Sequence, residues 1–329
     1  MKPHHFYISA ALTAILIATP ACSKSQSATS DSDINRAVAA HAATPKFSSD
    51  SAFNFIKQQV DFGPRVPGTA PHTACHDFIA ERLQSYGAEV ELLDTMFATP
   101  TGKEVEIRNI LGHFNPDARQ RIMLVAHYDT RPWADRDSDP TAYKTPIDGA
   151  NDGASGVGVM LETARLIAAQ SPKTGVDMLF VDYEDSGTYA GPDEEWCLGS
   201  QAYAASLTPG SARPSFAILL DMVGGPDAKF PIEYFSAQAA PEVVDLVWRK
   251  AAEAGQSSRF VKQMGGAIND DHVYLIKAGI PAIDIIESAN DLTGSFNPTW
   301  HTLDDNIKNI DRATLQAVGD VITSVVYTL

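Results

Sequence analysis

Cysteine is nearly absent from this chain: Cys22, Cys75 and Cys197 are its only three in 329 residues. None of their spacings matches a thiolate zinc site, so a metal centre built on cysteine is excluded. Long apolar runs are equally scarce. The stretch from Phe6 to Ala18 is shorter than the roughly 20 residues that span a bilayer. Positive charge is in short supply, with 25 Lys and Arg against 41 Asp and Glu and a formal net charge of −16. Such a balance argues against nucleic acid or an anionic membrane surface as partner. Internal repeats and Pro/Gly linkers are missing after Phe47, so one domain over residues 48–329 is expected.

What is present begins with a core. Hydrophobic residues make up 44% of the chain, which rules out wholesale disorder. Lys2 followed by an apolar stretch reads as a signal peptide over residues 1–21. Thr19-Pro20-Ala21-Cys22 resembles a bacterial lipoprotein cleavage site, although Thr19 stands where Leu is usual. Either Cys22 is lipidated, the only membrane attachment expected, or cleavage releases a soluble protein. Both place it outside the cytoplasm, in the cell envelope or secreted. Residues 22–47, rich in Ser, Ala, Thr and Asp, read as a tether. Cys75 and Cys197 then remain, either paired in an oxidising compartment or as two buried thiols.

Periodicity predicts helices over 51–60, 70–86, 153–169, 200–206, 241–254, 271–278 and 311–327. Extended runs lie at 89–93, 105–113, 122–126, 178–181, 216–220 and 280–286. The first look like an antiparallel start; the later alternation with helices implies a largely parallel sheet. The expected fold is α/β, a three-layer sandwich with a mixed, mainly parallel central sheet flanked by helices.

The chemistry-bearing residues sit where those strands run out. They are His127 and Asp129 in LVAHYDTRP, Glu184 and Asp185 in LFVDYEDSG, Asp221 in AILLDMVGG, and His301 in NPTWHTLDD. Asp152, in DGANDGASG, opens the helix between the first two. Open α/β sheets bind ligands beyond the carboxyl ends of their strands. Carboxylates gathered there repel one another unless a cation neutralises them, and mixed His/Asp ligation favours zinc. Each residue also has a plain reading. Asp152 could be a helix cap, Glu184-Asp185 a solvated turn, and one of Asp270 and Asp271 a cap for the next helix. Adjacent carboxylates such as Glu184 and Asp185 cannot easily share a face. One can bind metal while the other stays free to carry a proton.

Together, AHYDTRP (126–132), NDGASG (151–156), YED (183–185), LLDMVGG (219–225), NDDH (269–272) and WHTLDDN (300–306) resemble the zinc aminopeptidase superfamily M28. Within it they most resemble the animal-type glutaminyl cyclases and their bacterial relatives. The resemblance runs from about residue 50 to the C-terminus. It implies one zinc on Asp152, Asp185 and His301, with Glu184 as general acid and base. It further implies a carboxylate network of Asp221 and Asp270, and Trp300 as a pocket wall. The implied substrates are peptides or proteins with N-terminal Gln, cyclised to pyroglutamate with loss of ammonia by a monomeric enzyme.

Two departures stand out. Asp185 occupies a ligand position that is Glu in the animal enzymes. Those enzymes also carry a Trp a few residues past the acid pair, whereas here the first is Trp196. Trp196 is therefore left out of the expected pocket, and Trp133 is the alternative wall. The competing expectation is a two-zinc aminopeptidase, in which His127 and Asp221 hold a second zinc and Asp152 bridges. A third is an envelope lipoprotein that keeps the fold without catalysis. Trp300 directly before His301, with Asp270-Asp271-His272, tips the reading to the cyclase.

Overall fold

The computed structural model describes residues 44–329, and Thr44–Leu329 form one compact unit. The proposed signal peptide, Cys22 and most of the proposed tether lie outside the described residues. Among the described residues, no helix is long and apolar enough to cross a membrane.

Six strands make the central sheet: β1 (Glu89–Ala98), β2 (Glu104–Phe114), β3 (Arg121–His127), β4 (Gly175–Val181), β5 (Ala217–Asp221) and β8 (Ala282–Ile286), in the order β1-β2-β4-β3-β5-β8. β1, β2 and β4 pair antiparallel, while β4-β3, β3-β5 and β5-β8 are parallel. The mixed, mainly parallel sheet expected from sequence is therefore present. A second sheet, of β6 (Phe230–Ile232) and β7 (Phe260–Met264), was not anticipated. β6 holds only three residues, too few to show alternation.

Both faces of the central sheet are buried because alternate residues serve different layers. On β3, Ile122, Leu124 and Ala126 face the helices α1 (Ser49–Asp61), α3 (Ala154–Ala169) and α8 (Arg312–Thr328). Met123 and Val125 face the opposite layer, where Tyr203 of α4 (Leu198–Ser206) and Leu275 of α7 (Asp271–Lys277) pack. α2 (Ala70–Ser85) joins the first layer, with Cys75 in its core face. Helix α3 presses against the sheet so closely that a side chain at Gly156 would meet the Leu220 carbonyl at 2.0 Å. That contact sets the start of α3 beside the end of β5, bringing Asp152 and Asp221 to the same edge.

The candidate metal and proton-transfer site

Each site residue hangs from a strand end or from the loop that follows. His127 ends β3, Asp221 ends β5, and Glu184 and Asp185 follow β4 in a tight turn. Asp152 is not the helix cap: the cap position is Gly153, at φ +44°, and no side chain caps it. A side chain at Gly153 would meet the His127 carbonyl at 2.4 Å, so glycine is required there. The Asp152 carboxylate is thereby free for other partners. Its backbone N–H is held by Asp305 Oδ2 at 3.1 Å, and that of Asn151 by Oδ1 at 2.7 Å.

Asp152, Asp185 and His301 come together: one donor atom from each lies within 4.8 Å of the other two. His301 Nε2 is 3.2 Å from Asp185 Oδ1 and 3.4 Å from Asp152 Oδ2. Its other ring nitrogen meets the Tyr189 hydroxyl at 2.7 Å, which aims Nε2 at the carboxylates. His301 holds this pose at φ +56°, a strained backbone for a non-glycine residue. Asp185 Oδ2 is buried without a hydrogen-bond partner. Two oxygens, one imidazole and an orphaned carboxylate atom fit a divalent metal of zinc type.

Glu184 takes the other side of the turn. Asp129 accepts the backbone N–H groups of Glu184 and Asp185 at 3.1 and 3.2 Å, so the turn is fixed and the two side chains diverge. The His127-x-Asp129 pair does face one point, but Asp129 serves the backbone. Glu184 is beside His127, at 3.9 Å from Nδ1, and its Oε1 accepts from the Cys197 thiol at 3.5 Å. Burial, only partly opposed by His127, pushes the Glu184 carboxyl well above the usual range, and Asp185, Asp270 and Asp271 push it further. Burial also raises Asp270, with Asp221 adding to it, to about 7. Asp270 is the cap residue of α7, accepting from the Asp271 N–H at 2.6 Å. Cys75 and Cys197 are both free and buried, which decides between the two alternatives for them in favour of separate thiols.

His127, Asp152 and Asp221 are arranged differently. His127 Nε2 lies between the two carboxylates, 3.1 Å from Asp152 and 3.3 Å from Asp221. These three do not converge as one donor set, but His127 and Asp152 do so with Glu184, donor atoms of all three lying within 4.8 Å of one another. Burial works against charge on His127, but contacts with Asp129, Asp152 and Asp221 raise its pKa well above the ordinary value.

A cavity of about 320 Å³ opens over Glu184, Asp185 and His301, walled by Trp196, Phe296 and Trp300. Trp300 lies 4.0 Å from the His301 ring centroid, and Trp196 stacks on His301 with an 8° interplanar angle. Trp196, left out on the sequence pattern, is therefore a wall. Trp133 is not: it covers Arg131 and lines a separate depression with Tyr183 and Ser186. Tyr189, Asp305 and Arg131 were not singled out from sequence, and Cys197 was read only as a disulfide partner or buried thiol. Arg131 and Asp305 stood inside quoted motifs, whereas nothing in the pattern around Tyr189 or Cys197 marks them.

Mixed imidazole and carboxylate donors beyond the parallel strands of a three-layer sheet define a metal-dependent α/β enzyme of exopeptidase type. The chain belongs to peptidase family M28, whose model matches residues 109–326. Within that family it is homologous to glutaminyl-peptide cyclotransferases. It is 27% identical to that of Bos taurus over 292 residues, 78% of this chain and 76% of the relative. Bacteroides thetaiotaomicron glutaminyl cyclase bound to N-acetylhistamine superposes with a TM-score of 0.84 at 45% identity, over 87% of this chain and 99% of that one. A Zn-dependent exopeptidase from Parabacteroides distasonis matches with a TM-score of 0.84 at 43% identity, over 87% and 100%.

Proposed function

We propose that this protein is a zinc-dependent glutaminyl-peptide cyclotransferase, closing N-terminal glutaminyl residues to pyroglutamate with release of ammonia. The observation that carries this reading is the division of labour within one turn. Asp185 joins Asp152 and His301, while Glu184 points to the cavity with a raised proton affinity. Asp152, Asp185 and His301 would hold one zinc, which when bound supplies a Lewis acid for the substrate's side-chain amide carbonyl.

The chain's own groups do the rest. Glu184 takes a proton from the substrate α-amine as that nitrogen bonds to the side-chain carbonyl carbon. It returns the proton to the nitrogen that leaves when the amide C–N bond breaks. A carboxyl whose affinity for a proton is raised by burial can do both near neutrality. Asp270 adds to the raised proton affinity of Glu184, and Asp221 to that of Asp270, so the carboxylates act as a network. Trp196, Phe296 and Trp300 give one side of the cavity an aromatic wall against which the glutaminyl side chain can pack. Attack by water would give glutamate instead.

The two-zinc aminopeptidase is the alternative, with its residues His127 and Asp221 in place and an exopeptidase among the similar structures. The neighbouring glutaminyl cyclases, at up to 45% identity over nearly their whole length, favour the cyclase. We further infer an envelope location, lipid-anchored at Cys22 or free, and a monomer acting on peptides or proteins with N-terminal Gln.

Incubation with a glutaminyl dipeptide amide separates the two enzymes. Ammonia release with the peptide bond intact and pyroglutamate, not glutamate, at the N-terminus supports the cyclase, and release of free glutamine refutes it. Glu184→Gln is expected to keep its zinc and lose turnover by at least 100-fold, as removal of a general acid–base group does. Near wild-type turnover in that variant would remove Glu184 from the mechanism.

A further inference from the structure

Arg131 is only 1% exposed, and a buried cation persists only where its charge and donors are matched. Its Nε and Nη2 donate to the Asp135 carboxylate at 2.8 and 2.5 Å. Its Nη1 donates to Asp185 Oδ1 at 3.1 Å and to the carbonyls of Asp185 and Gly187 at 3.2 Å each. The guanidinium carbon lies 5.3, 5.2 and 4.8 Å from the ring centroids of Trp133, Tyr189 and Trp196. Two of those rings carry His301: the Tyr189 hydroxyl meets its Nδ1 at 2.7 Å, and Trp196 lies parallel to it, 6.4 Å between centroids. Asp135, gripped by Arg131, also stands 3.6 Å from His301 Nδ1.

We propose that Arg131 is a positioning residue that fixes two of the three zinc ligands at once; this inference rests on the zinc reading above. It holds Asp185 directly and His301 through Tyr189, Trp196 and Asp135. Two residues earlier, Asp129 accepts the N–H groups of Glu184 and Asp185. One short segment after β3 therefore clamps the acidic turn from both sides, Asp129 on its N–H groups and Arg131 on its carbonyls.

A cation beside a ligand carboxylate repels a metal ion, so charge alone would make Arg131 unfavourable for binding. Its gain must come from geometry. Lysine would keep the charge without the planar fork. One ammonium cannot serve Asp135, Asp185 and two carbonyls while stacking on rings.

The test is zinc affinity, measured on the whole zinc-free protein by competition with a chromophoric chelator, for wild type, Arg131→Lys and Asp135→Asn. Thermal unfolding of each zinc-free protein is recorded alongside. Arg131→Lys is expected to lose roughly 10- to 100-fold in zinc affinity, the range seen when outer partners of metal ligands are removed. Asp135→Asn, which keeps the guanidinium but loosens its anchor, is expected to lose less, in the same direction.

A folded Arg131→Lys with wild-type zinc affinity overturns the inference. So does a variant whose zinc-free form is less stable while its zinc affinity is unchanged, since that is a purely structural role. Should Arg131→Lys fail to fold, Asp135→Asn decides alone: wild-type affinity there overturns it, and weakened affinity supports it. Wild-type protein that takes up no zinc refutes the zinc reading itself and the inference with it.

Discussion

His301 shows how single residues are committed to the site. Its backbone sits at φ +56°, its Nδ1 is engaged by Tyr189, and one ring face lies against Trp196. With that nitrogen occupied, only Nε2 is available between Asp152 and Asp185. The pair of carboxylates outweighs burial and raises the imidazole to about 9, a measure of how negative the donor set is. Two substitutions separate ligand from support. His301→Ala is expected to abolish stoichiometric zinc uptake. Tyr189→Phe, which removes one hydroxyl and keeps the ring against Trp196 and Trp300, is expected to weaken zinc binding roughly 10-fold. Chelator competition reads both, and equal affinities for Tyr189→Phe and wild type would show the hydroxyl to be idle.

At the scale of elements, strand ends and caps supply the donors. Behind the cleft, Glu233 caps the short helix α5 (Tyr234–Ala239), accepting from the N–H groups of Phe235 and Ser236 at 2.9 and 2.7 Å. It also pairs with His272 at 3.1 Å. Burial would raise its pKa, but His272 and the two N–H groups prevail and lower it from the ordinary 4.5 to about 2. A depressed folded-state pKa contributes stability that is complete above 4.5 and is lost as pH falls toward 2. The melting temperature of wild type is therefore expected to fall more steeply over that window than that of Glu233→Gln. Parallel curves would show that Glu233 carries no such linkage.

The helices and the sheet were legible because they are periodic. β3 and α3 declare themselves through apolar spacing, and their ends carry His127 and Asp152. The second sheet was not legible, since β6 is too short to show a pattern. Nor were contacts made by fold-brought partners. Asp305 holds the Asp152 loop across 153 positions, and Tyr189 reaches His301 across 112. Such pairs leave no trace in local spacing. Trp133 and Trp196 exchanged places for the same reason: Arg131 packs on both indoles, and only the fold shows that Trp196 also reaches His301.

Across the whole molecule, a chain with a net charge of −16 concentrates Asp152, Glu184, Asp185, Asp221 and Asp270 at one edge of one sheet. Burial raises the proton affinity of most of them, so the site is built to take up positive charge, as protons or as metal. A ligand that binds only the folded state adds to its stability, by about 4 kcal/mol at a concentration a thousand times its dissociation constant. Zinc is thus expected to act on fold and activity together. The most direct test is stepwise addition of zinc to the zinc-free protein while ammonia release and pyroglutamate formation from a glutaminyl dipeptide amide are followed. The account predicts activity that rises linearly and levels off at one zinc per chain. Activity that appears only as a second zinc binds, or that appears as peptide-bond cleavage, would contradict it.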